Sequence, residues 1–115
     1  MPRPLVIFVD VDDTLVRHVG SKMIPMPATI NHVRSLAVDG VELWCWSTGG
    51  ADYAKSIAVG LEIADCFTGF LPKPNVIIDD QNVAEWRQCL EVGPGSLAAT
   101  VADYSAALGR ETSES

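Results

Sequence analysis

Leu5-Val6-Ile7-Phe8-Val9-Asp10-Val11-Asp12-Asp13-Thr14-Leu15 is the stretch whose reading decides the fold. Its first five residues are apolar and rich in β-branched side chains, the pattern of a strand buried inside a parallel sheet. The acidic residues then stand where the chain leaves that sheet. Three carboxylates on one turn repel each other unless a cation offsets them, so a divalent metal is the natural expectation. Ligands of open α/β sheets gather at the carboxyl ends of strands, where this turn lies.

The rest of the chain extends this strand into an α/β pattern. Residues 16 to 27 contain Gly20, Pro25 and Pro27 and suit a short flap or hairpin rather than a helix. Ala28 to Asp39 reads as a helix, with Ile30, Val33, Leu36 and Ala37 at helical spacing and Gly40 as its stop. Val41 to Trp46 reads as a second strand, ending in Ser47-Thr48-Gly49-Gly50. A right-handed crossover would lay this strand parallel to the first and bring Ser47 to the edge that holds the acidic turn. A short helix over 52–61 and a brief strand over 66–71 follow, broken by Pro72-Lys73-Pro74. Asn75-Val76-Ile77-Ile78 reads as a further strand that ends in Asp79 and Asp80. Val83, Trp86 and Leu90 suggest one or two helical turns, Gly93-Pro94-Gly95 a turn, and 96–108 a closing helix. The expected fold is α/β: three-layer and Rossmann-like, with a mostly parallel sheet of about four to five strands. One domain spans 1–109, and 110–115 form a frayed tail.

Composition narrows the possibilities. The chain has 115 residues, enough for one core and too few for two domains. A net charge of −7 without a Lys/Arg cluster disfavours nucleic acid as a partner. Cys45, Cys66 and Cys89 are odd in number and widely spaced, which argues against a disulfide framework or zinc site and reads as packing in a reducing compartment. No apolar leader or membrane-length run is present, so the reading is soluble and cytoplasmic. Trp44 and Trp46 read as core, and His32 as a solvated residue on the polar side of its helix.

Strand ends therefore carry Asp10/Asp12, Ser47/Thr48 and Asp79/Asp80, with Lys73 just ahead of the last pair. In this order the chain resembles the haloacid dehalogenase superfamily of phosphohydrolases, over about residues 5 to 82. Asp10-Val11-Asp12-Asp13-Thr14 matches the first family motif, Ser47 the second, Lys73 the third and Ile77-Ile78-Asp79-Asp80 the fourth. The resemblance implies a Mg²⁺-dependent phosphatase working through an aspartyl phosphate. It also implies that Asp12 lends its backbone carbonyl to the metal and that its side chain protonates the leaving oxygen and later activates water.

The residue chemistry supports the same reading. A carboxylate that attacks phosphorus divides a difficult transfer into two steps, and Asp10 is the candidate nucleophile. Attacker and phosphate are both anionic, so Mg²⁺ would bridge them, with further oxygen ligands from Asp80 and Asp79 at a strand end; the resemblance adds Asp12 to the metal ligands beside Asp10 and favours Asp80 over Asp79. Asp12 needs a raised pKa for an acid role, which the charge of Asp10 and of the phosphate would supply. Ser47 and Lys73 would hold the equatorial oxygens as charge builds on them. Thr48 and Gly49 lead into a helix whose N–H groups can face a phosphate. Thr14 would mainly brace the turn, while Arg17 and His18, in the flap, are candidates to touch the leaving group.

Only 33 residues separate Asp13 from Ser47, and 25 separate Ser47 from Lys73, which leaves no room for the cap domain that many members insert. The resemblance is thus to a small capless type. An open site excludes water poorly, so the expected partner is either a bulky phosphorylated macromolecule or a small phosphate ester covered by a neighbouring subunit of a homo-oligomer. The rival readings are a receiver-like signalling module and a catalytically silent phosphate- or protein-binding module. The order of motifs argues against the first, and the intact Asp10/Asp12 pair against the second.

Overall fold

The chain is seen in a computed structural model that describes residues 3–86, 88–97 and 100–109. The apolar run forms β1 (Val6–Asp10), and the second expected strand forms β4 (Glu42–Ser47). Between them lie β2 (Val16–Val19), β3 (Lys22–Pro25) and α1 (Pro27–Val38). Downstream come α2 (Ala51–Gly60), β5 (Gly69–Pro72) and α3 (Val101–Ala107). The main sheet is parallel and runs β1-β4-β5, with Asp10 beside Trp46 and Ser47 beside Pro72. This register aligns the three strand ends at one edge.

The flap is a regular antiparallel hairpin of β2 and β3, with Val19 opposite Lys22. Gly20 takes φ +61° at the first loop position, where a side chain would be strained and where tight two-residue hairpins favour glycine. No helix among the described residues is long and apolar enough to cross a membrane.

The core forms on one side of the sheet. Val9, Leu43 and Cys45 meet Ile30, Val33 and Leu36 of α1, Ala54 and Ala58 of α2, and Tyr104 of α3. Burial pushes the Cys45 thiol up to about 12, with the charge of Asp10 adding to it, so this cysteine is an inert packing group. Cys66 is half-buried and Cys89 exposed, so the packing role expected for all three does not extend to Cys89.

The opposite face is more open, and here the expectation of a strand buried on both sides is corrected. Val6 and Phe8 are exposed, while Trp44 and Trp46 are half-buried. Both indoles pack on Phe8, which meets Trp46 edge-on at 4.9 Å between centroids and lies 6.4 Å from Trp44. Gly69 sits where β5 passes under Trp44, and a Cβ there would come within 2.6 Å of the indole.

Three further expectations are corrected. Among the described residues the main sheet has three strands, not four to five, because Asn75–Ile78 joins no ladder; Val76 is 75% exposed and Ile78 96%. The helical turns expected around Val83, Trp86 and Leu90 reduce, among the described residues, to a 3₁₀ turn at Val83–Glu85. The closing helix begins only at Val101, where Thr100 caps it through a reciprocal pair of hydrogen bonds with Asp103. Ala98, Ala99 and the tail 110–115 lie outside the described residues.

His32 is not simply solvated. Its Nε2 lies 2.8 Å from the Tyr104 hydroxyl, tying α1 to α3, and burial lowers its pKa. A histidine depressed in the folded state contributes stability above its ordinary value, lost as pH falls through the folded one. The urea midpoint should therefore drop on acidification from about pH 7 to about pH 5, and His32→Gln should reduce that slope. Urea titration should also separate core from surface. Leu43→Ala should cost about 3 kcal/mol, whereas Ile78→Ala should stay within about 0.5 kcal/mol.

Candidate active site

The acidic turn is held by what its apolar residues do. Val11, Leu15 and Val16 are fully buried, and the Val11 carbonyl accepts N–H groups from Thr14, Leu15 and Val16 at 2.9–3.2 Å. Asp13 takes φ +63°, a conformation that Asp tolerates better than most residues, and donates its N–H to the Val16 carbonyl at 2.7 Å. The turn thus puts Val11 and Leu15 into the core and leaves Asp10, Asp12 and Thr14 only partly covered.

Two sets of partners satisfy the carboxylates. Lys73 Nζ pairs with Asp10 Oδ1 at 3.0 Å, and Thr14 Oγ1 donates to Asp10 Oδ2 at 3.0 Å. Lys73 reaches Asp10 because its own N–H donates to the Ser47 carbonyl at 2.9 Å, which carries the β4–β5 pairing one residue beyond β5. Its ammonium also stands 5.7 Å from the Trp46 ring centroid, a cation–π distance. Asp12 Oδ1 is shared by His18 Nε2 at 2.7 Å and the Tyr53 hydroxyl at 2.8 Å.

Asp12 departs from expectation. The hydrogen bond from His18 is the foremost cause holding its carboxyl below the ordinary value; Tyr53 adds to this and partial burial opposes it. Donors brought in from the hairpin and from α2 outweigh the burial that would raise it. The Tyr53 phenol is in turn pushed up to about 12, first by burial and then by its bond to Asp12, so it stays a donor.

Asp10, Asp12 and Lys73 converge, as the order of strand ends leads one to expect, and Thr14 and His18 join them as partners of the two carboxylates. Ser47 reaches the same edge but is only 1% exposed, and its Oγ accepts the Gly49 N–H at 3.0 Å. It braces the loop into α2 instead of standing open to a ligand. Thr48 and Gly49 are exposed on that loop. Arg17 lines a groove with Val19, Ile24, Met26 and Pro94 and forms no ion pair with either carboxylate.

Asp79 and Asp80 are not drawn in. Both are exposed on the irregular segment, and Asp79 Oδ1 accepts the Gln81 N–H at 3.0 Å. Among the described residues no three His, Cys, Asp or Glu side chains gather into a metal-holding group. What remains is the Asp10 carboxylate, with the Asp12 backbone carbonyl that the resemblance adds, both hard oxygen donors. That set fits Mg²⁺, which is commonly held by one or two carboxylates and completes its shell with water and substrate phosphate.

Sequence reasoning passed over Tyr53. The available signal was its position: it stands three residues into the helix that follows Gly49-Gly50, one turn from a loop already assigned to the site. The chain matches no protein-family model, no curated protein and no solved structure.

Ser47→Ala should cost about 1 kcal/mol in urea denaturation, because it leaves the Gly49 N–H without its acceptor while the strand around it stays buried.

Proposed function

We propose that this chain is a Mg²⁺-dependent phosphate monoester hydrolase of the small, capless, Rossmann-like type implied by its resemblance to the haloacid dehalogenase superfamily. The observation that carries the reading is the Lys73–Asp10 pair at 3.0 Å: a carboxylate at one strand end held by a lysine that follows another, with Asp12 two residues away.

In this reading an oxygen of Asp10 attacks phosphorus, and the bond from phosphorus to the ester oxygen breaks. Asp12 gives its proton to the departing oxygen. Asp12 then takes a proton from water, whose oxygen attacks the aspartyl phosphate, releasing inorganic phosphate and restoring Asp10. An anionic phosphate beside Asp12 raises its pKa, countering the depression set by His18 and Tyr53. Lys73 stabilises charge on the phosphate oxygens, and Thr14 keeps the attacking carboxylate in place. A bound Mg²⁺, held by Asp10 and Asp12, would offset the negative charge that the two reactants share. The reading leaves Ser47, Thr48 and Gly49 as the loop beneath the phosphate.

The hairpin reaches Asp12 with the His18 side chain and bonds the acidic turn through the Val16 backbone, and the elements between Asp13 and Lys73 are too few for a cap. This supports a macromolecular phosphate ester, or a small one covered by a second subunit. The exposed positions of Asp79 and Asp80 favour the second reading, a silent phosphate- or protein-binding module. The two readings differ in turnover. An aryl phosphate should be hydrolysed with Mg²⁺ and not after chelation, and Asp10→Asn should lower kcat by at least about 10³-fold while the circular dichroism spectrum is retained. Equal rates in the variant would remove Asp10 from the nucleophile role.

A further inference from the structure

We propose that Tyr53 is the positioning residue of Asp12: its hydroxyl occupies Oδ1 and so reserves Oδ2 for the proton exchanged with substrate and water. The inference rests on the phosphatase reading and adds a residue that the family motifs do not include.

Three observations support it. First, the two donors on Asp12 reach the same oxygen, Tyr53 at 2.8 Å and His18 at 2.7 Å, so among the described residues the side-chain hydrogen bonds on this carboxylate fall on one side. A carboxylate with one oxygen engaged has its rotation about χ2 restricted, and its second oxygen is presented in a defined direction.

Second, the two donors are not equally anchored. His18 lies on an exposed four-residue strand of the hairpin. Tyr53 lies in the first turn of α2, a helix fastened to the core by Ala54 and Ala58. Its ring is also wedged against the loop after β4: a Cβ on Gly49 would come within 2.8 Å of Tyr53 Cδ2 and 3.4 Å of Ser47 Oγ. The glycine leaves the space that the tyrosine ring fills, so loop and ring set each other's position.

Third, the contact joins the turn that carries the carboxylates to the helix that follows the β4 loop, between residues 41 positions apart. Phosphate binding through Lys73 does not involve the phenol. Its loss should therefore act on the chemical step and not on affinity.

The test is Tyr53→Phe in the full chain, which keeps the ring against Gly49 and removes only the hydroxyl. With Mg²⁺ and an aryl phosphate, kcat should fall about tenfold while KM stays within about twofold. A KM change without loss of kcat, or no change in either, overturns the inference and leaves the phosphatase reading standing. A wild-type chain that hydrolyses nothing overturns that reading, and this inference with it. A second measurement does not depend on turnover or on the folding of that variant. The ¹³C resonance of the Tyr53 ring carbon bearing the hydroxyl should move in Asp12→Asn, where a carboxylate acceptor becomes an amide. An unmoved resonance overturns the inference.

Discussion

The site depends on two buried side chains. Val11 and Leu15 interrupt the acidic turn and are fully enclosed, and the polar residues around them have only the solvent side left to occupy. Three carboxylates within four positions would otherwise separate to relieve their repulsion. Here the hydrophobic anchoring of their neighbours holds them together, helped by the N–H groups gathered on the Val11 carbonyl. The geometry of the turn follows from packing, and its chemistry from what packing leaves outside.

Once the carboxylates are held, the fold brings their counter-groups from four places. Thr14 belongs to the turn, His18 to the hairpin, Tyr53 to the start of α2 and Lys73 to the chain just beyond β5. The parallel order β1-β4-β5 makes this possible, since it carries three successive strand ends to one edge. Lys73 and Asp10 both keep substantial exposure, so their pair does more to arrange charge than to stabilise the fold.

The sheet is dressed unevenly. The helices α1, α2 and α3 contribute to the core on one face, whereas the other carries Phe8 with Trp44 and Trp46 packed against it, partly in contact with solvent. This explains why an unbroken apolar run such as Leu43–Trp46 invites the reading of a strand covered on both sides: aromatic side chains can shield each other without a third layer. The same ambiguity affects Asn75–Ile78. Its composition is that of a strand, but a strand exists only through a neighbouring ladder, and no local pattern says whether an edge will accept it.

Much of the molecule was legible in order of residues alone. The β-branched run before Asp10, the helical spacing of Ile30, Val33 and Leu36, and the small-residue loop after Trp46 each encode a local preference, and each became the expected element. The convergence of Asp10, Asp12 and Lys73 was also foreseeable, because parallel topology places successive strand ends together. Tertiary structure alone decided that Tyr53 and His18 share one oxygen of Asp12, that Ser47 is turned into the protein, and that Asp79 and Asp80 stand apart from the other carboxylates. The physical reason is one of range. Helix and strand preferences act over a few residues, whereas hydrogen bonding and the pKa of a carboxylate depend on which distant groups come within about 3 Å, and only the packed chain sets that distance.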